Sequence, residues 1–192
     1  METPAQDSSL EETCWRAAVR GDAEAFGSIF DRHQPRVYGH ACRLVDVRAD
    51  AEDVTATAFL ELWRRREHVR VVGGSVLPWL LVTATNVSRN VRRSTRRHRA
   101  LLDRLPRDAV APDLAQVVER ELPLGWDVGL VHRLRELSSL DLALVSLVAL
   151  EGLPIADAAD AVGVSVSAAK SRLHRLRAGR HALVPVSEGS SS

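Results

Sequence analysis

A chain of 192 residues with 45% hydrophobic content carries enough apolar side chain for one large domain or two small ones, yet aromatics make up only 4%. Small aliphatic residues must therefore fill the core, which favours packed helices over an aromatic-rich sheet. The formal net charge of +1, from 26 Lys and Arg against 25 Asp and Glu, excludes a uniformly basic polyanion binder; any such partner has to meet a local patch.

Apolar residues recur at helical spacing almost throughout and strand signals are nearly absent, so the expected fold class is all-α. The opening METPAQDSSLEET lacks the basic and apolar regions of a secretory signal, and a first helix is expected over Leu10 to Arg20. Gly21-Asp22 punctuates the chain. A second helix is expected over Ala23 to Leu44, with Phe26, Ile29, Phe30, Val37 and Ala41 on one side and Pro35 bending or splitting it. Cys14 and Cys42 form no C-x-x-C pair, which points to buried free thiols in a reducing compartment rather than a zinc site or a disulfide framework.

A third helix is expected from Ala49 to Arg66. Val54, Ala58 and Leu62 make one apolar stripe, Phe59 and Trp63 lie off it, and Asp53, Thr57 and Glu61 share a polar face. A helix apolar over so wide an arc must be buried in a bundle or against a partner. The Gly pair and Pro of HVRVVGGSVLP (His68 to Pro78) predict a loop. The fourth helix, Pro78 to Arg99, starts apolar and ends basic. Asn86, Arg89, Asn90, Arg93, Arg96 and Arg97 recur on it at three- and four-residue spacing, a stripe able to follow a DNA backbone while its amides reach bases. A merely solvated face would carry Glu among these arginines, and none is present.

Pro106, Pro112, Pro123 and Gly125 interrupt the stretch from Leu101 to Trp126, where acids replace Arg. This is the expected linker, with a short helix at Leu114 to Leu122. The resulting division is residues 1–100, a linker at 101–126, a second compact unit at 127–184 and a disordered tail at 185–192. In the second unit, Ser138 stands three residues before Asp141 and opens an apolar helix from Leu140 to Leu150, which Glu151-Gly152 ends. That helix holds LVSLVAL (Leu144 to Leu150), an apolar run far too short for a membrane span.

Two short helices then flank Gly163. Ile155, Ala158, Ala159 and Val162 form the stripe of the first; Val166, Ala169, Leu173 and Leu176 form that of the second. Alanines at contact positions and a glycine turn make a helix-turn-helix. At 100° per residue, the face opposite the second stripe centres on Ser167 and Ser171, with Ala168, His174 and Arg175 beside them and Lys170 and Arg172 at its edges. Its small, hydrogen-bonding centre suits base edges and its cationic rim suits phosphates. No paired carboxylates, nucleophile elbow, phosphate-binding Gly loop or metal cluster is legible, so the chain is expected to act by binding, without catalysis, metal or cofactor.

These segments together resemble one family. GVSVSAAKSRLHRLR (Gly163 to Arg177) is similar to the G-V-S-x-x-T-V-K-S-R-L-H-R-A-R pattern of region 4 of the extracytoplasmic-function sigma factors of the sigma-70 family. Ala168 and Ala169 stand where that pattern has Thr-Val, and Leu176 where it has Ala. AEDVTATAFLELW (Ala51 to Trp63) resembles the family's A-E-D-h-x-Q-x-x-F-L-x-x-W helix, with Ala56 in place of Gln and Thr57 in place of an acid. WLLVTATNVSRNVRR (Trp79 to Arg93) and AFGSIFDRHQPRVYGHA (Ala25 to Ala41) are similar to its other region 2 segments.

The resemblance implies a two-domain helical protein that directs transcription initiation in a stress or signal response, and that resides in the cytoplasm. It implies core RNA polymerase and promoter DNA as partners, and admits an anti-sigma factor. On this resemblance Glu52, Asp53, Thr57, Phe59, Leu60, Glu61 and Trp63 would meet polymerase. Asn86, Arg89, Asn90, Arg93, Arg96 and Arg97 would meet the −10 element, with a flipped base held by the loop Val69 to Leu77. Ser165, Ser167, Ala168, Lys170, Ser171, Arg172, His174 and Arg175 would meet the −35 element. The competing expectations are a stand-alone helix-turn-helix regulator with weak or no polymerase binding, and a protein-interaction module with vestigial DNA faces.

Overall fold

A computed structural model of the chain describes residues 4–102, 129, 133, 134 and 136–181. Seven α-helices lie among the described residues. In the N-terminal lobe these are α1 (Pro4–Val19), α2 (Ala23–Leu44), α3 (Arg48–Arg64) and α4 (Leu77–Leu102); in the C-terminal lobe, α5 (Ser139–Val145), α6 (Ile155–Val162) and α7 (Val166–His181). No strand occurs among the described residues; one isolated antiparallel pair, Val72 with Ser75, closes the turn before α4. The short helix expected at 114–122 and the tail at 185–192 lie outside the described residues, as does the linker beyond Leu102.

Asp22 starts α2 because its carboxylate accepts from the N–H groups of Glu24 and Ala25, both at 3.0 Å, which satisfies two otherwise orphaned donors. Ile29, Val37, Ala41 and Leu44 then enter a core shared with Trp15 and Ala18 of α1, Val54, Ala58 and Leu62 of α3, and Leu80, Leu81 and Ala84 of α4. Of the two effects expected of Pro35, a bend or a split, the split does not occur: α2 runs through it. His33 and Val37 on either side are buried, so their packing outweighs the single backbone hydrogen bond that proline forfeits. Cys14 and Cys42 are free, as expected, but half-buried rather than buried, because each lies at the margin of the core.

The Ser138 hydroxyl caps α5 by accepting from the Asp141 N–H at 3.1 Å. The expected single helix to Leu150 widens instead into a π-type turn over Ser146–Leu150, and Gly152 (φ +70°) ends it. Gly163 sits at φ +73°, a left-handed conformation open to glycine without penalty. It turns α6 into α7 so that Ala158 and Ala159 face Ala169 and Leu173 in one buried contact. Val166 departs from its expected stripe: it is 40% exposed, since the first residue of α7 projects beyond that contact. The lobes are not separate. Helix α4 packs on both α5 and α6, and the apolar core runs on through Leu142, Leu144 and Leu147.

Candidate nucleic-acid and polymerase interfaces

Helix α7 presents a continuous polar surface. Ser167, Lys170, Ser171, His174 and Arg175 are exposed, and Ala168 is half-buried, on the side away from Ala169 and Leu173. Ser165 is exposed but its hydroxyl is occupied, accepting from the Ala168 N–H at 3.2 Å; it caps the helix. Arg172 is half-buried and bonds the Asp141 carboxylate through Nη1 at 2.9 Å. Burial alone would raise the Asp141 pKa. Hydrogen bonds from Ser138 and Arg172, with the charges of Arg172 and Arg175, bring it below the ordinary carboxylate value instead.

On α4, Asn86, Arg89, Asn90, Arg93 and Arg97 are exposed along one side, while Leu80, Leu81, Ala84, Thr85 and Ser88 are buried on the other. The side chain of Arg96 lies outside the described residues. Arg89 Nη1 donates to Ser139 Oγ of the C-terminal lobe at 2.6 Å. Trp79, at the start of this helix, packs half-buried against the core.

Helix α3 divides its residues in a way the sequence left open. Glu52, Asp53, Thr57 and Leu60 are exposed, and Glu61 and Trp63 are half-buried. Phe59 is a correction. At 3% exposure, with its ring 4.6 Å from that of Phe30, it belongs to the core and offers no surface to a partner. Trp63 instead meets the Phe26 ring edge-on at 5.0 Å and lies under the Arg66 guanidinium at 4.4 Å, which fixes its exposed edge. The residues departing from the family pattern, Ala56 and Thr57, are both at the surface.

One residue escaped the sequence reading. Glu11 of α1 is buried, and its Oε1 accepts from Ser75 Oγ at 2.7 Å, from the Val76 N–H at 2.9 Å and from His33 Nε2 at 2.8 Å. Arg32 Nε approaches its other oxygen at 3.3 Å. Helix α1 thereby fixes the loop that leads into α4. The available signal was an acid four residues before buried Trp15 and seven before buried Ala18, hence on the apolar face of its helix.

Comparison with known proteins gives these surfaces a context. Residues 29–98 match Sigma-70 region 2 and residues 128–178 match Sigma-70, region 4. The chain is 32% identical over 155 residues to the RNA polymerase sigma factor CarQ of Myxococcus xanthus, covering 81% of this chain and 86% of that one. It is 30% identical over 165 residues to the ECF RNA polymerase sigma factor SigK of Mycolicibacterium vanbaalenii, covering 82% and 81%. Its fold is similar to that of the sigma factor RpoE of Bartonella quintana, solved in complex with the anti-sigma factor NepR. That likeness has a TM-score of 0.59 at 22% identity and covers 86% of this chain and all of that one. With both sigma regions matched in order, and with relatives of this identity spanning most of its length, the chain belongs to the sigma-70 family as an extracytoplasmic-function RNA polymerase sigma factor.

Proposed function

We propose that this sigma factor divides its work among three helices. Helix α7 reads the −35 element, with Ser167, Ser171, His174 and Arg175 toward base edges and Lys170 and Arg172 toward phosphates. Helix α4 follows the −10 strand through Asn86, Arg89, Asn90, Arg93, Arg96 and Arg97. The exposed side of α3, comprising Glu52, Asp53, Thr57, Leu60, Glu61 and the edge of Trp63, docks on core RNA polymerase. The protein acts by binding in the cytoplasm, and an anti-sigma factor competes for the same surfaces. No helix among the described residues is long and apolar enough to cross a membrane.

The observation that carries this reading is the side-by-side sorting on α4 and α7. On α4 Leu80, Leu81, Ala84, Thr85 and Ser88 are buried and Asn86, Arg89, Asn90, Arg93 and Arg97 exposed; on α7 Ala169 and Leu173 are buried and Ser167, Lys170, Ser171, His174 and Arg175 exposed. The decisive experiment mixes the purified chain with core polymerase and a promoter library. Comigration with core and promoter-dependent transcripts are expected. Promoter binding without comigration or transcripts would replace this reading with that of a stand-alone DNA-binding regulator. Within the active complex, Arg175→Ala should weaken −35 binding by about tenfold with partial loss of sequence preference, on the scale of a base or phosphate contact of about 1–3 kcal/mol.

A further inference from the structure

A cavity of about 310 Å³ lies between α4 and the C-terminal lobe, and its lining joins two kinds of surface. Arg89, Arg92, Arg93 and Arg97 of α4 supply one side, with Ser88 beside them, and Leu44, Leu137 and Leu142 supply an apolar wall. No carboxylate lines this space among the described residues. The neighbouring cavity, of about 490 Å³, differs on that point: Asp141 stands on its wall with Arg89 and Arg172. Arg89 does bond Ser139, but a hydroxyl carries no charge to offset a guanidinium. Like charges gathered around one space repel one another, and an anion placed between them reverses the sign of that interaction. Arg89, Arg93 and Arg97 recur every four residues, so they climb α4 in steps of about 6 Å. A row of guanidinium forks at that spacing suits a chain of phosphates.

The hydroxyls of the lining carry a second, independent argument. Thr85 is committed: its Oγ1 donates to the Leu81 carbonyl at 2.8 Å and lies 2.8 Å from His40 Nε2. Ser139 accepts from Arg89 at 2.6 Å. Ser88 is not committed. It is 2% exposed, and its Oγ has no hydrogen-bond partner among the described residues. A buried hydroxyl without a partner is costly, and one that lines a basic cavity can donate to an anion.

We propose that this cavity binds a small phosphorylated molecule with a flat apolar body, by chemical class a nucleoside diphosphate. Its phosphates lie along Arg89, Arg93 and Arg97 and accept from Ser88 Oγ, and its base lies against Leu137 and Leu142. The volume agrees, since ligand pockets begin at about 300 Å³. The same arginines are those proposed above for the −10 strand, so the test includes a DNA arm.

The full chain is titrated with ADP, inorganic pyrophosphate and adenosine by calorimetry, and with a labelled single-stranded DNA of mixed sequence by anisotropy. ADP should bind, and more tightly than either pyrophosphate or adenosine. Ser88→Ala leaves the net charge unchanged and should weaken ADP binding about tenfold, the loss of one hydrogen bond to a charged group. This variant should fold, because alanine removes the unpaired hydroxyl and favours the helix. ADP should then raise its Tm less than that of the wild type. Arg93→Gln should weaken ADP binding at least as much. Arg64→Gln on the exposed side of α3 loses the same charge and should change it less than about twofold. Equal ADP affinity in Ser88→Ala and the wild type, or an equal loss in Arg93→Gln and Arg64→Gln, would overturn the proposal. Pyrophosphate binding as tight as that of ADP would overturn the nucleotide assignment. DNA binding that weakens in Arg93→Gln, with no binding of ADP to the wild type, would assign these arginines to DNA alone. No readout uses polymerase or a promoter, so a failure of the functional reading is scored separately.

Discussion

At the scale of single residues, two buried groups tie the N-terminal lobe together and give it an acid-sensitive stability. Burial pushes the Glu11 pKa upward, but the His33 hydrogen bond and charge, with the bonds from Ser75 and Val76, hold it below the usual value of 4.5. Its stabilisation is therefore complete above pH 4.5 and lost as pH falls through the lower, folded value. Glu11→Gln should cost about 1.5–3 kcal/mol in urea unfolding, the range for hydrogen bonds to a charged group, whereas Glu12→Gln at the exposed Arg16 pair should cost under about 1 kcal/mol. His40 acts at higher pH. Fully buried between α2 and α4, its Nε2 lies 2.8 Å from Thr85 Oγ1, whose own proton goes to the Leu81 carbonyl. Burial, followed by the Arg43 charge, lowers its pKa from 6.5 to about 3. The unfolded chain thus binds the extra proton between those values, and stability falls on acidification from pH 6.5 with a slope approaching about 1.4 kcal/mol per unit. A urea series from pH 7.5 to 5 should show this slope in the wild type and a flat profile in His40→Gln. Equal slopes in the two proteins would assign the titration to another group.

At the scale of elements, periodicity carried most of what was legible. The α3 stripe of Val54, Ala58 and Leu62 and the alanine contact across Gly163 are buried where their spacing placed them, because the side of each helix they occupy is apolar apart from Thr55 of α3, whose hydroxyl donates to the Ala51 carbonyl. The polar residues of α4 and α7 were legible for the converse reason. What spacing could not show was competition between a local rule and tertiary packing: Pro35 breaks helices in isolation but not one clasped by buried neighbours. Phe59 was ambiguous because an aromatic beside an apolar stripe suits a core and an interface equally. Glu11 and the contact between the lobes depend on residues far apart in sequence, for which one chain carries no pattern. The glycines test this division with opposite signs. Gly163 and Gly27 both have open space where a Cβ would stand, but only Gly163 has a positive φ. Gly163→Ala should therefore destabilise by about 1–2 kcal/mol through backbone strain, while Gly27→Ala within α2 should stabilise by about 0.5–1 kcal/mol. Thermal unfolding of the two variants checks both signs.

At the scale of the whole molecule, the near-zero net charge conceals a separation that matters for DNA binding. Arg36 of α2 and Arg70 of the loop before α4 are ion-paired with Glu151 and Asp160 of the C-terminal lobe, while Arg89 of α4 bonds the neutral Ser139, so the free protein ties part of its basic charge to its own acids. Salt weakens DNA binding by about 0.7 in log affinity per log salt for each single-strand phosphate neutralised. An arginine held by a carboxylate of its own chain neutralises no phosphate and adds nothing to that slope. Arg36→Gln should consequently leave the salt dependence unchanged, whereas Arg93→Gln, at an exposed position on α4, should make it shallower by about 0.7. Were Arg36 a phosphate contact instead, its replacement would make the slope shallower, because fewer counterions would be released on binding. Titrations of labelled single-stranded DNA between 50 and 300 mM salt, a range in which such slopes are resolved, separate the two. The unchanged slope in Arg36→Gln is the result expected of a protein that balances part of its basic charge within its own chain.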